Sequence, residues 1–182
     1  RNLANLVLHV AALNTAAGTF NNAAQLSRIL GSDTLVAHGD DVNTVIAGAG
    51  NMRIPALIDC MLRTPANLAN LVLRIAGLNN AAGILATPLL QTTMLNSDML
   101  VANGHTVAAV LGNVHNIMVA PVLNAMLVSL VRLNQLNTYM PDIDRALTGQ
   151  GNLTGQKLIN VLNHIVQVGA PAPLGAAHDT GL

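Results

Sequence analysis

The sequence predicts an all-α protein: a multi-helix bundle built from an internal duplication, followed by a C-terminal amphipathic helix and an irregular tail. Three observations carry that prediction. Aliphatic residues recur every three or four positions along most of the chain, and no stretch sustains the apolar/polar alternation of a half-buried strand. The apolar share is 52%, yet it includes one Phe, one Tyr and no Trp, so Leu, Val, Ile, Ala and Met must build the core. Finally, Asn2-Leu3-Ala4-Asn5-Leu6-Val7-Leu8 returns letter for letter as Asn67-Leu68-Ala69-Asn70-Leu71-Val72-Leu73, 65 positions later. The echo holds its offset through Leu13/Leu78, Ala16-Ala17-Gly18/Ala81-Ala82-Gly83, Ser32-Asp33/Ser97-Asp98, Leu35-Val36-Ala37/Leu100-Val101-Ala102, Gly39/Gly104 and Met61-Leu62/Met126-Leu127. A constant offset over so long a span marks a repeated structural unit. The expected organisation is a first helical repeat over 1–65, a second over 66–130, a C-terminal helical cap over 131–168 and a Pro/Gly/Ala tail over 169–182, packed as one compact domain.

Each element has a local reason. Leu3, Leu6, Val7, Val10, Ala11 and Leu13 fall at helical spacing, with Asn2, Asn5 and His9 on the other side, and Gly18 supplies the stop. A short helix follows through Leu26, Ile29 and Leu30. Gly31 ends it, and Ser32 is a good N-cap for the next segment. Gly39-Asp40-Asp41 opens another helix, with Val42, Val45 and Ile46 inward. Pro55 and Pro65 sit where a first helical turn tolerates proline, opening helices over Leu57, Ile58, Met61 and Leu62 and over Leu68, Leu71, Val72, Ile75 and Leu78. Further helices are expected near Pro88 to Leu95, Asp98 to Asn103 and Thr106 to Val119. A long one from Pro121 through Leu133 and a short one over Asp142 to Leu147 come next. Thr154 caps the cleanest amphipathic segment, with Leu158, Ile159, Leu162, Ile165 and Val166 on one face and Lys157, Asn160, Asn163, His164 and Gln167 on the other.

Composition excludes several functions. Charged residues are 9%, well under the roughly 25% usual for soluble domains. All eight acids are Asp, and Lys157 is the only lysine. With a formal net charge of zero, the chain lacks the electrostatic attraction on which nucleic-acid binding rests, and it has no aromatic platforms for bases. Nor is there a polybasic patch for an anionic membrane. Near-zero charge instead favours association between copies. The most apolar run, Ile117 to Val131, contains Pro121, Asn124 and Ser129 and ends at Arg132, so it reads as two core helices rather than a transmembrane span. Cys60 is the single cysteine, a buried small hydrophobe or the site of an intermolecular bridge. A chain beginning at Arg1 and carrying the glycosylation sequon Asn152-Leu153-Thr154 suggests a trimmed, secreted protein.

Templates for chemistry fail one after another. His38, Asp40, Asp41 and His105 suggest an acid/base or metal cluster. However, Asp40 echoes His105 and Asp41 echoes Thr106, so the copies hold no matching ligands and helix-capping carboxylates account for the pair. Asp142-x-Asp144 lacks the glycine and glutamate of a calcium loop. Gly149-x-Gly151-x-x-x-Gly155 follows no strand and does not match dinucleotide spacing. The seven methionines sit mostly at core spacing. No catalysis, metal or cofactor is expected.

What remains is helices with broad aliphatic faces, few charges and polar faces of Asn, Thr, Gln and Ser. Transfer of a Leu or Val out of water gains about 1.5–3 kcal/mol, whether into a protein core or onto an air–water or lipid interface. Aliphatic cores without aromatic anchors are loosely specified, so such helices could lay their apolar faces on a boundary. The candidate interface-facing residues are Leu3, Leu6, Val10, Leu68, Leu71, Ile75, Leu158, Leu162 and Ile165. In overall character, with aliphatic helices such as Leu158 to Val168 and the repeated Asn-Leu-Ala-Asn-Leu-Val-Leu, the chain resembles the frog foam-nest surfactant proteins, the ranaspumins. The likeness matches no family motif and assigns no residue a role; it implies foam formation at a surface without catalysis. The alternatives are a carrier of a lipid or other apolar ligand between its helices, and a secreted structural protein that self-associates.

Overall fold

The computed structural model describes residues 2–20, 22–148, 160, 161 and 164. Among the described residues there are eleven helices and no strand, so the protein is all-α. In order they are α1 (Asn2–Ala17), α2 (Ala23–Leu30), α3 (Asp33–Ala37), α4 (Gly39–Ala47), α5 (Ile54–Arg63), α6 (Pro65–Leu85), α7 (Pro88–Leu95), α8 (Asp98–Ala102), α9 (Gly104–Gly112), α10 (Val119–Met126) and α11 (Leu130–Ala146). The chain divides into two compact units, Arg1–His105 and Thr106–Leu182. The expected C-terminal amphipathic helix and tail lie outside the described residues, apart from Asn160, Val161 and His164.

Ser32, read from the sequence as an N-cap, acts as one, accepting from the N–H of Leu35; Ser97, Thr64 and Thr87 likewise accept from those of Leu100, Asn67 and Leu90, each satisfying one otherwise orphaned donor. Helices α2, α3 and α4 each begin and end 65 positions before α7, α8 and α9.

In the first unit α6 is the central element. It packs against α4, α5, α7 and α8, and buries Leu68, Leu71, Leu78, Ala81, Ala82 and Leu85. Among the described residues it is the one helix long and apolar enough to cross a membrane. Packed as the core helix of its unit, it makes no clear transmembrane span. α1 packs on α3 and α4, but with a side other than the expected one. Leu13 and Ala16 are buried and His9 is half-buried, whereas Leu3, Val7, Val10 and Ala11 are exposed. The reason lies at Gly39: a Cβ there would stand 2.5 Å from His9 Cβ and 3.0 Å from Leu13 Cγ. The bare backbone at the start of α4 thus draws in the His9/Leu13 side. Gly104 repeats the device on α6, where a Cβ would stand 2.6 Å from Leu78 Cγ and 3.1 Å from Arg74 Cβ.

In the second unit four expected boundaries move. The helix expected to reach Val119 stops at Gly112, because the backbone N–H groups of His115 and Asn116 donate to Asp144 instead of to helical carbonyls. α10 begins at Val119, which puts Pro121 among the first-turn positions whose N–H has no helical partner. The long helix expected through Leu133 breaks after Met126. Ser129 caps a new helix by accepting from Arg132 N–H at 3.1 Å. The short helix expected over Asp142 to Leu147 is the end of α11, which runs through Pro141. That proline removes one helical donor. Buried Met140 and Ile143 on either side hold the helix in place.

Candidate functional site

The nine candidate interface-facing residues are separated by the fold. Leu3 is 74% exposed and Val10 54%, while Leu6 is half-buried. Their echoes differ: Leu68 is 3% exposed, Leu71 is fully buried, and half-buried Ile75 lies against Gly48, where a Cβ would approach within 2.8 Å. Leu158, Leu162 and Ile165 lie outside the described residues.

On α1 the solvent side comprises Leu3, Ala4, Val7, Leu8, Val10 and Ala11. These positions fall within one broad face at 3.6 residues per turn, and none of them carries a charge. α6 shows a similar exposed strip of Ala66, Ala69, Leu73 and Ile84. In the second unit Met118, Val128, Leu130 and Val131 are exposed around the ends of α10 and α11. Leu8, Leu73, Leu89 and Val131 were not among the expected contact residues. Spacing groups residues on one side of a helix but does not by itself say which side meets water.

The polar groups are used for fastening. The His38/Asp40/Asp41/His105 grouping, which the sequence already explains by helix caps, is not assembled: Asp40 pairs with His9 Nδ1 at 2.9 Å, and Asp41 with His38 Nδ1 at 3.4 Å. Both carboxylates stand in the first turn of α4, where the helix dipole favours negative charge. Among the described residues no three metal-donor side chains gather.

A denser network joins α5, α6 and α8. Arg63 at the end of α5 donates to Asp98 Oδ1 at 2.7 and 2.8 Å, to Leu95 O at 2.7 Å and to Asn96 Oδ1 at 3.3 Å. Buried Asn67 donates from one amide nitrogen to Asp98 Oδ1 at 2.9 Å and to Cys60 O at 3.3 Å. The Asn67 hydrogen bond, joined by the Arg63 hydrogen bond and charge, holds Asp98 below the ordinary carboxylate range despite slight desolvation. Beneath it Cys60 is fully buried and free. Burial pushes its thiol up to about 11, against the pull of Arg63, so it remains the protonated small hydrophobe the sequence suggested.

Asp144 anchors the turn after α9. It is buried and accepts from His115 N–H at 2.9 Å, Asn116 N–H at 2.8 Å and Asn116 Nδ2 at 2.8 Å. Burial favours its neutral form, but the three donors and the nearby His115 outweigh that and hold the carboxyl below the ordinary range. Both Asp98 and Asp144 therefore bind a proton more readily in the unfolded chain. Their stabilising contribution is complete above about pH 4 and disappears as the pH falls through their lower folded-state values. Asp144→Asn is expected to flatten the acid side of a stability–pH curve relative to the parent. Chemical denaturation from pH 2 to 7 measures it, and parallel curves would refute the assignment.

Among the described residues the side chains thus form apolar outer faces held in place by a few buried polar fastenings. No family model matches this chain, and neither a curated protein nor a solved structure matches it.

Proposed function

We propose that this is a surface-active protein, built from two copies of a helical unit, which adsorbs through its aliphatic faces to an air–water or oil–water boundary in an extracellular setting. The observation that supports this reading most is the outer side of α1, where Leu3, Val7, Leu8 and Val10 all stand in solvent. Moving four such side chains out of water is worth on the order of 5 kcal/mol, after allowing for the area already covered. Adsorption through that face needs no unfolding. The Leu73/Ile84 strip of α6 adds area to the same reading. Zero net charge keeps adsorbed molecules from repelling one another at close range.

Surface tension against concentration tests the proposal. The parent is expected to lower it at micromolar protein with its helicity kept. The variant carrying Leu3→Asp, Val7→Asp and Val10→Asp, folded by circular dichroism, should need at least tenfold more protein for the same effect. A parent that behaves as buffer does, or a variant as active as the parent, ends this reading.

A further inference from the structure

The chain itself shows what the outer face of α1 fits. α6 has two packed sides. One side meets α8 and, through Gly77, the start of α9; the other meets α4 and α5. Among the described residues α1 packs mainly on the first kind of partner, α3 and α4, which stand 65 positions before α8 and α9. On that side the burial repeats: Leu13 and Ala16 are covered as Leu78 and Ala81 are. On the other side it does not. Leu68 is buried and Ile75 rests on Gly48 of the α4 end, whereas Leu3 and Val10 stand bare. Equivalent positions on the two helices are thus covered in one place by an α4–α5 pair and uncovered in the other.

The junction that covers α6 is also one that the sequence makes twice. Asn51 N–H donates to Asn79 Oδ1 at 2.6 Å, joining the turn before α5 to α6. Asn116 N–H donates to Asp144 Oδ1 at 2.8 Å, joining the turn before α10 to α11. Donors and acceptors alike are 65 positions apart. So are the N-caps Thr64 and Ser129 and the buried residues Leu68/Leu133, Leu71/Leu136 and Leu78/Ile143. Helix α11, expected to begin a C-terminal cap, therefore repeats the opening helix of the unit, and α10 packs on it as α5 packs on α6.

We infer that the bare side of α1 is the receiving half of this same junction, and that its occupant is a further 65-residue unit of this kind, in register ahead of α1 and offering an α4–α5 pair. α1 carries no Asp, Arg or Lys, so apolar shape rather than charge selects the partner. A unit with a glycine in the place of Gly48 leaves room for Val10 as Gly48 does for Ile75. Repeat proteins bury a continuous core by such nearest-neighbour stacking. The inference does not rest on surface activity, and its readout is separate from surface tension.

The test joins residues 1–65 ahead of Arg1 in register and follows a Val10→Cys reporter in the original first unit. In the 182-residue protein this thiol is expected to react freely. In the extended chain its labelling at that site should slow at least tenfold, and the α1 amides should exchange hydrogen correspondingly more slowly. Labelling at the parent rate, or an extended chain that aggregates, overturns the inference. Sedimentation of the parent supplies an independent arm: a dimer that protects the same thiol would make a second molecule the occupant, and would equally overturn it.

Discussion

Leu68→Ala is expected to cost about 2–5 kcal/mol, the range for emptying a packed leucine site, whereas Leu3→Ala should stay within about 0.5 kcal/mol. The two residues occupy the same place in the same seven-letter sequence. Propensity and neighbours along the chain are matched, so the difference isolates tertiary environment. Leu68 is 3% exposed on the central helix α6, and Leu3 is 74% exposed on α1. Removing Leu68 takes away its transfer energy and leaves a cavity among residues that cannot close it fully. Removing Leu3 exposes nothing new. In thermal denaturation the first variant should melt roughly 5–15 °C below the parent and the second should coincide with it. Equal losses at the two positions would mean that α1 is packed as α6 is, and the distinction drawn between them would fall.

The second large effect is expected at Gly77→Ala. In the middle of a helix, glycine to alanine ordinarily stabilises by about 1 kcal/mol, because glycine loses the most backbone freedom on folding. Here a Cβ would stand 2.8 Å from the carbonyl carbon and oxygen of Gly104 and 2.8 Å from the N of His105. All three are backbone atoms, so no side chain can swing aside, and α6 and the start of α9 must separate. Overpacking of this sort costs typically 1–3 kcal/mol and occasionally more, which outweighs the propensity gain. Gly112→Ala is the control: nothing lies within 4 Å of a Cβ there, and the change should be neutral or slightly stabilising. Urea denaturation of the pair gives the comparison. A Gly77→Ala protein as stable as the parent would show that the two backbones do not approach so closely.

The same contrast explains what could be read in advance. Caps were legible because their cause is local: Ser32, Thr64 and Ser97 each have a side-chain oxygen three residues from the N–H that it accepts. The long central helix was legible too, since Leu68, Leu71, Ile75 and Leu78 repeat at helical spacing. The end of α9 was not, because the groups that stop it belong to Asp144, about 30 residues further on. Nor could spacing show that Asp40 would find His9 rather than His105.

Sequence by itself determined the helical class, the positions of most helix starts and the 65-residue echo of Asn2–Leu8 in Asn67–Leu73. It also determined a chain poor in charge and in aromatic residues. Only the tertiary structure decided which side of each helix is dry. Helical spacing fixes which residues share a face but not which face meets water: in α1 the side holding polar His9 is the one turned inward. The choice fell to the missing Cβ of Gly39, which lets α4 close on His9 and Leu13 and leaves Leu3, Val7 and Val10 in water.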